Sequence, residues 1–272
     1  MQKCGITGST GNLGKSFIKN NKKFKYIKFK GDITKKNDVN VWIKKYKFDL
    51  IIHFAALVPI SKVNKNYKKA LKINYLGTQN IVNAIVKNNV EIDWFFFSST
   101  SHVYPFKFNP IKETDILNPI SKYGKTKLMA EKFIVKKFEK TKIKYCIGRI
   151  FSILDNNGKE FFMKSLIRRI KIKQKLIKLD NMNHFRDFLT TKQISEIIIK
   201  LSKKKYRGII NIGSGKKTDL KKIAILLAKK FRKKIIFQKN KPTCSVSSNV
   251  KLKELGIKFK VPDISKELNL II

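Results

Sequence analysis

Cysteine is scarce in this chain. Cys4, Cys146 and Cys244 stand far apart in 272 residues. An odd, dispersed set builds neither a disulfide frame nor a zinc site. No metal is therefore expected, and a reducing compartment, the cytoplasm, is. Long apolar runs are missing too. The longest, Leu50 to Ile60, contains His53 and Pro59. It falls short of the ~18 residues that cross a bilayer, so no membrane insertion is expected. No signal sequence is expected either, because Met1-Gln2-Lys3 leads straight into a glycine motif. No linker rich in Pro, Gly or Ser interrupts the chain, and no repeat is visible. Acidic residues number 18 against 62 basic ones, a formal net charge of +44. That balance taken alone suits nucleic acid or an anionic surface. Arginine, however, is confined to positions 149, 168, 169, 186, 207 and 232, and the remaining basic residues are lysines spread along the whole chain. Base-specific recognition favours bidentate arginine. Lys, Asn and Ile are also the residues of AT-rich codons. The charge is read as a lysine-filled surface that helps collect anions, with no specific nucleic-acid partner.

What is present begins at the first residue. A short apolar run ending at Ile6-Thr7 meets glycines at Gly8, Gly11 and Gly14, and an amphipathic pattern starts at Leu13. That is strand, tight turn and helix. Gly8 permits a sharp turn, Gly11 a close backbone approach, and Gly14 close packing of helix on strand. The helix start offers free N–H groups to a pyrophosphate. The spacing TGxxGxxG is a variant of the dinucleotide-binding fingerprint.

The chain then alternates. Phe24 to Phe29 reads as a second strand, closed by Gly31-Asp32-Ile33-Thr34. An acidic residue at this strand end holds a ribose diol, and a basic one accommodates a 2′-phosphate. Lys28 and Lys30 occupy the region and Asp32 comes slightly later, which tilts the cofactor toward NADP over NAD. Val39 to Tyr46 reads as a helix. Asp49 to Ala56 is a nearly continuous apolar strand, as a buried parallel sheet requires. Ala55 and Ala56 end it and leave room for a cofactor. His53 within it is read as a hydrogen-bonded core residue. Tyr67 to Asn89 reads as one long helix that carries Asn74 among apolar neighbours, either as a structural bond or as part of the site. Trp94 to Ser99 is a further strand, opening into Thr100-Ser101-His102-Val103-Tyr104.

Tyr123 and Lys127 lie four apart in a helical stretch and share one face. An ammonium beside a phenol favours phenolate, so this tyrosine can exchange a proton with a carbonyl or alcohol oxygen. In so lysine-rich a chain the spacing recurs: Tyr26 and Lys30 show it too. That second pair falls in a strand, where residues four apart are over ~10 Å from each other. Beyond a strand at Lys142 to Ile150, the alternation loosens. Helices are expected over 161–172, 194–201 and 220–231, strands over 184–189 and 209–212, and a short final helix over 251–256. The expected fold class is α/β, a Rossmann doubly wound parallel sheet with a smaller C-terminal substrate-binding lobe. Residues 1–150 are read as the core, completed by parts of 184–212, and 151–272 as mainly the lobe.

These elements together resemble the extended short-chain dehydrogenase/reductase family, the NAD-dependent epimerase/dehydratase group that acts on nucleotide sugars. The likeness runs through TGSTGNLG at 7–14, DLIIHFAA at 49–56, NYLGTQNIV at 74–82, FFFSSTSHVY at 95–104, YGKTK at 123–127, GRIF at 148–151, HFRDF at 184–188 and NIGSG at 211–215. The resemblance implies that Gly8, Ser9, Thr10, Gly11, Asn12, Leu13 and Gly14 hold the pyrophosphate. It implies that Asp32 and Ile33 border the adenine, and that Ala55, Ala56, Asn74 and Ser98 line the cofactor. Tyr123 is then the general acid/base and Lys127 the partner of the nicotinamide ribose. Thr100 bonds the reacting sugar oxygen. Ser101, Ser152 and Arg186 face the substrate, with Arg186 at its phosphates. Where dehydratases of this family carry an Asp-Glu pair after the Ser/Thr, this chain has Ser101 and His102, which argues against dehydration. The implied activity is hydride transfer at a sugar carbon, leaning to a 4-keto-sugar reductase, with an epimerase holding NAD as the alternative. A non-enzymatic dinucleotide sensor is the reading from another class. Family members pair through the helices that here are 67–89 and 123–138, which implies a homodimer.

Overall fold

The computed structural model describes residues 1–154 and 162–271. The first apolar run forms β1 (Gln2–Thr7), buried from Cys4 onward. The glycine turn leads into α1 (Asn12–Asn20), which buries Gly14 and Phe17. β2 (Phe24–Lys28) and α2 (Lys36–Lys45) follow. β3 (Leu50–His53) is buried at every position. After α3 (Ile60–Lys65), the single helix expected over 67–89 is a composite. It comprises α4 (Tyr67–Leu71), a π-turn at Lys72–Leu76 and α5 (Gly77–Lys87). The wide turn falls where the Asn74 amide leaves the helix to bond Leu57 and Thr126. β4 (Trp94–Thr100), α6 (Lys122–Phe138) and β5 (Lys144–Ile150) complete the first half.

The second half uses shorter elements. β6 (Ser152–Leu154), α7 (Phe162–Ile170) and β7 (Leu176–Leu179) come first. The strand expected over 184–189 is two strands, β8 (His184–Arg186) and β9 (Phe188–Thr190). They pair in different sheets, and Asp187 at the break receives bonds from two other loops. α8 (Thr191–Lys203) starts at a reciprocal capping box between Thr190 and Gln193. β10 (Gly208–Ile212), β11 (Thr218–Asp219), α9 (Leu220–Lys230), β12 (Lys234–Phe237) and β13 (Thr243–Ser245) follow. α10 (Val250–Glu254), expected to be the last helix, is succeeded by α11 (Ile264–Ile271).

Six strands form one parallel sheet in the order β10-β5-β4-β3-β1-β2. Its two faces carry separate cores. On one, Phe17 of α1 and Ile194, Ile197 and Leu201 of α8 pack against Phe96. On the other, Trp42 of α2, Ile81 of α5 and Ile134 of α6 pack against Phe95 and Phe97. Helices on both faces of a parallel sheet make the doubly wound arrangement expected from the apolar strands. A third core, with Met163, Leu166, Ile177, Leu220 and Leu227, lies wholly in the second half. From β1 the chain steps to β2 on one side and then crosses to β3 on the other. That reversal opens a crevice at the carboxyl ends of β1 and β3, where such sheets bind ligands.

Candidate active site

The crevice is floored by the glycine turn. Gly8 takes φ +69°, and a Cβ there would stand 2.5 Å from the Ala55 backbone nitrogen. Any other residue would push β1 and β3 apart at the reversal. Gly14 lies so close to the Gly8 carbonyl that a side chain would collide with it. The turn is closed by Gly11 N–H donating to the Gly8 carbonyl at 3.1 Å. Gly11 caps α1 without any side-chain bond, and no acidic residue occupies the first turn. The first amides of α1, at Asn12 and Leu13, keep their hydrogens for an anion. Ser9, Thr10, Ala55 and Ala56 stay partly or fully exposed around it.

The wall beneath is a chain of neutral hydrogen bonds. Thr7 Oγ1 pairs with His53 Nδ1 at 2.6 Å, and His53 Nε2 with Thr78 Oγ1 at 2.9 Å. The Thr78 hydroxyl donates to the Asn74 carbonyl. Its hydrogen is thereby used, so His53 is the Nε2–H tautomer and Thr7 donates to Nδ1. Burial, with Lys127 nearby, holds His53 down to about 3. His53 is thus the satisfied core residue the strand pattern suggests. Asn74 spends its amide inside the protein, accepting from Leu57 N–H at 2.6 Å and donating to Leu57 O and Thr126 Oγ1. It ties the loop after β3 to α6.

At the end of β2, the register sets Lys28 beside Ile6, and Phe29 N–H donates to the Ile6 carbonyl. Lys30 follows, level with Gly8 if that register is continued. Lys28 and Lys30 are exposed. Asp32 is exposed, its Oδ1 accepting from Thr34 N–H at 2.9 Å and Thr34 Oγ1 at 2.8 Å. Those bonds hold its carboxyl below the usual range. Ile33 is buried against α2 and α5.

Thr100 ends β4, two strands from β1 along the same sheet edge. Its Oγ1 accepts from His102 N–H at 3.3 Å, which leaves the hydroxyl hydrogen free to be given. Ser98 is partly exposed beside it and Ser101 is buried. α6 begins where Ser121 Oγ accepts from Gly124 N–H at 3.0 Å. Ser121 also pairs with His102 Nδ1 at 3.2 Å. The His102 ring meets the Tyr123 ring edge-on at 6.1 Å between centroids. Burial and the nearby Arg186 cation push His102 down to about 4, so the imidazole is neutral at pH 7. Arg186 reaches this turn from β8, its guanidinium 5.0 Å over the Phe106 ring, and burial lowers its own value. Ser152 sits next to Arg186 through its backbone bond to Asp187. Thr100, Tyr123 and Arg186 therefore converge on one turn, while the glycine turn lies along the same edge.

Lys127 departs from the simple pair its spacing suggests. It is 1 % exposed, its Nζ lies 4.0 Å over the Phe97 ring, and no hydrogen bond or ion pair engages it among the described residues. Burial pushes it down to about 7, against the pull of Glu131. Tyr123 is pushed up by burial alone. No pull from Lys127 offsets that burial, so the phenolate is not favoured by Lys127 in this arrangement. Below the pair lies a set that sequence reasoning missed. Arg149 of β5 donates through Nη2 and Nε to Glu131 of α6 at 2.7 and 3.1 Å, and Ser99 bonds the same carboxylate. Arg149 Nη1 reaches Tyr104 OH at 2.6 Å, and Tyr104 donates to Asn211 Oδ1. One signal was available: Glu131 stands four residues after Lys127, on the same helix face.

Two of these observations fit a dinucleotide in the crevice. A helix start with uncapped amides suits the pyrophosphate, and a buried, unpartnered ammonium suits a ribose diol.

A doubly wound sheet with a glycine turn and a Thr–Tyr–Lys set on one edge defines a short-chain dehydrogenase/reductase. More narrowly, a family model described as GDP-mannose 4,6 dehydratase matches residues 6–262, and the chain belongs to that family within the extended branch. It is 31% identical over 137 residues to a dTDP-4-dehydrorhamnose reductase of Aggregatibacter actinomycetemcomitans, covering 48% of this chain and 46% of that protein. It is 34% identical over 129 residues to a UDP-glucose 4-epimerase of Lactobacillus helveticus, covering 46% of this chain and 38% of that one. The matched stretches thus span less than half the length of either relative. The fold is shared with the structure of RMD from Pseudomonas aeruginosa complexed with NADPH, at a TM-score of 0.88 and 20% identity, over 100% of this chain and 97% of that one.

Proposed function

We propose that this protein is an NAD(P)-dependent oxidoreductase acting on a nucleotide sugar, with hydride transfer at a sugar carbonyl or alcohol carbon. The observation that carries the reading is the pairing of an uncapped glycine turn with Thr100, Tyr123 and the unpartnered Lys127 on one sheet edge. A nicotinamide dinucleotide bound there supplies or accepts the hydride. Gly8 to Gly14 hold its pyrophosphate, Ala55, Ala56 and Ser98 line its path, and Lys127 holds a ribose hydroxyl. Tyr123 gives its phenolic proton to the sugar oxygen in reduction and takes it back in oxidation. Thr100 donates its free hydrogen to the same oxygen. Arg186, a half-buried cation with no carboxylate partner among the described residues, faces the diphosphate, with Ser101 and Ser152 beside it.

The reductase reading is favoured by the end of β2, where the exposed Lys28 and Lys30 come before Asp32, whose Oδ1 is held by Thr34. That chemistry suits the 2′-phosphate of NADPH, a cofactor released after one turnover. A relative that is a 4-epimerase supports the alternative, in which NAD stays bound. Ser101 and His102 in place of carboxylates disfavour dehydration. On this reading residues 1–150 form the core and 151–272 mainly the substrate lobe, and the protein works in the cytoplasm, which three buried free thiols support. A homodimer through α4–α5 and α6 is supported by the exposed Leu76 and Met129. The lysine-coated surface fits no specific nucleic acid.

The deciding experiment is to purify the protein without added cofactor, denature it and identify any nucleotide released. Stoichiometric NAD supports the epimerase. An empty protein that binds NADPH in preference to NADH supports the reductase. Binding of neither removes the enzyme reading.

A further inference from the structure

Lys127 favours a phenolate only as an ammonium, and grips a ribose hydroxyl most strongly in that form, yet the fold buries it. Few groups face it. On α6, Tyr123 stands one turn before it and Glu131 one turn after. From β4 comes the Phe97 ring. From β3 comes His53, locked neutral between Thr7 and Thr78. From β5 comes Arg149, whose charge is matched by Glu131. Glu131 is the negative group whose field Lys127 feels.

Glu131 cannot swing away. Its carboxylate is gripped from β5 by Arg149 and from β4 by Ser99. Arg149 is held in turn by Tyr104 OH and, at 3.2 Å, by the Glu113 carbonyl. Tyr104 is anchored to Asn211, whose amide donates to the Ile111 carbonyl at 2.9 Å. The chain of bonds fixes one buried carboxylate one helical turn below an unpartnered buried ammonium.

We propose that Glu131, fixed by Arg149, is a positioning residue that raises the proton affinity of Lys127, and that dinucleotide binding in the crevice takes up a proton at Lys127. The inference rests on the dinucleotide reading above and deepens it. Burial draws Lys127 to about 7 against the opposing pull of Glu131. Ribose hydroxyl oxygens arriving at Nζ accept from the ammonium and favour it. The bound protein then holds this proton to higher pH than the free one. Affinity therefore falls as pH rises past the free value.

Isothermal titration of the full chain with NADP⁺, in two buffers of different ionisation enthalpy from pH 6 to 9, counts the protons directly. The ligand's 2′-phosphate titrates near the low end, so Lys127→Met supplies the background. The expected result is proton uptake above pH 7 in the unmodified protein that Lys127→Met lacks, with affinity falling up to about tenfold per pH unit. Glu131→Gln moves the onset about one pH unit lower while leaving the low-pH plateau in place. Glu131→Asp restores it. A purely structural role would weaken binding equally at every pH. Because Glu131→Gln leaves Arg149 unmatched, Glu131→Gln/Arg149→Met removes both charges and is expected to shift the onset in the same direction by a smaller amount. Equal proton uptake in the unmodified protein and Lys127→Met overturns the inference, as does an unchanged onset in both Glu131→Gln variants. If neither NADP⁺ nor NAD⁺ binds, the proposed function falls and takes this inference with it. That result is distinct from pH-independent binding, which overturns the inference alone.

Discussion

Arg149 and Lys127 are two cations at the same depth, each 1 % exposed, on adjoining elements under the same sheet edge. They differ in what they touch. Arg149 has Glu131, Tyr104 and the Glu113 carbonyl. Lys127 has an aromatic face and a carboxylate beyond ion-pair distance. A buried charge without partners is among the costliest features a fold can keep. Arg149 therefore reads as the floor of the site, and Lys127 as the part left incomplete for a ligand.

The comparison breaks most visibly at the floor. Arg149→Met leaves Glu131 buried and unmatched. The expected loss is about 3–5 kcal/mol of unfolding free energy, read by urea denaturation. Arg149→Met combined with Glu131→Gln should recover much of it, since no charge then lacks a partner. If the single variant is as stable as the double, the pair is not the anchor described here.

Lys127→Met should act in the opposite direction. Lys127 ionises near 7 in the folded chain against an ordinary value of 10.5. Below pH 7 both states carry the charge and the native state bears the full burial cost. Between these values the unfolded chain binds more protons, so stability rises with pH. Above 10.5 the cost is gone. The unmodified protein should therefore gain up to about 1.4 kcal/mol per pH unit between 7 and 9. Lys127→Met should lack that slope and be the more stable of the two at pH 7. Parallel curves would show that Lys127 is solvated after all.

Tyr123→Phe tests the site and leaves the floor alone. Removing the proton carrier is expected to cost about 10²–10⁴-fold in turnover, with dinucleotide affinity little changed. A variant with full activity would sink the oxidoreductase reading in both its forms.

Legibility in the sequence follows the same division. The parallel sheet was readable because burial on both faces turns β3 and β4 into apolar runs. The glycine turn was readable because its constraint is local: φ +69° at Gly8 and the Gly11 N–H bond back to the Gly8 carbonyl. Tyr123 and Lys127 were readable through helical spacing. Glu131 and Arg149 were not, because their meeting depends on α6 lying over β4 and β5. Asp187 was hidden in the same way. It accepts from Ser214, Gly215 and Ser247, which are 27 to 60 residues away. The break it makes between β8 and β9 has no local signature. The π-turn at Lys72–Leu76 was hidden because distant Leu57 and Thr126 draw Asn74 out of the helix.

The finest test of the comparison is Tyr104→Phe. Tyr104 OH accepts from Arg149 Nη1 at 2.6 Å and donates to Asn211 Oδ1 at 2.9 Å. Removing one oxygen leaves the Arg149–Glu131 bonds intact. Arg149 Nη1 keeps the Glu113 carbonyl, and Asn211 keeps its bond to Ile111 through Nδ2. The loss should be about 1.5–3 kcal/mol, the worth of a buried hydrogen bond to a charged group. Glu131 stays in place, so the pH at which dinucleotide affinity begins to fall should not move. A stability loss with an unmoved onset would separate the two roles: the outer links hold Arg149 in the fold, and the carboxylate sets the charge of Lys127. An onset that moved with Tyr104 would mean that the field at Lys127 is shared by the whole network, and that Glu131 has no special place in it.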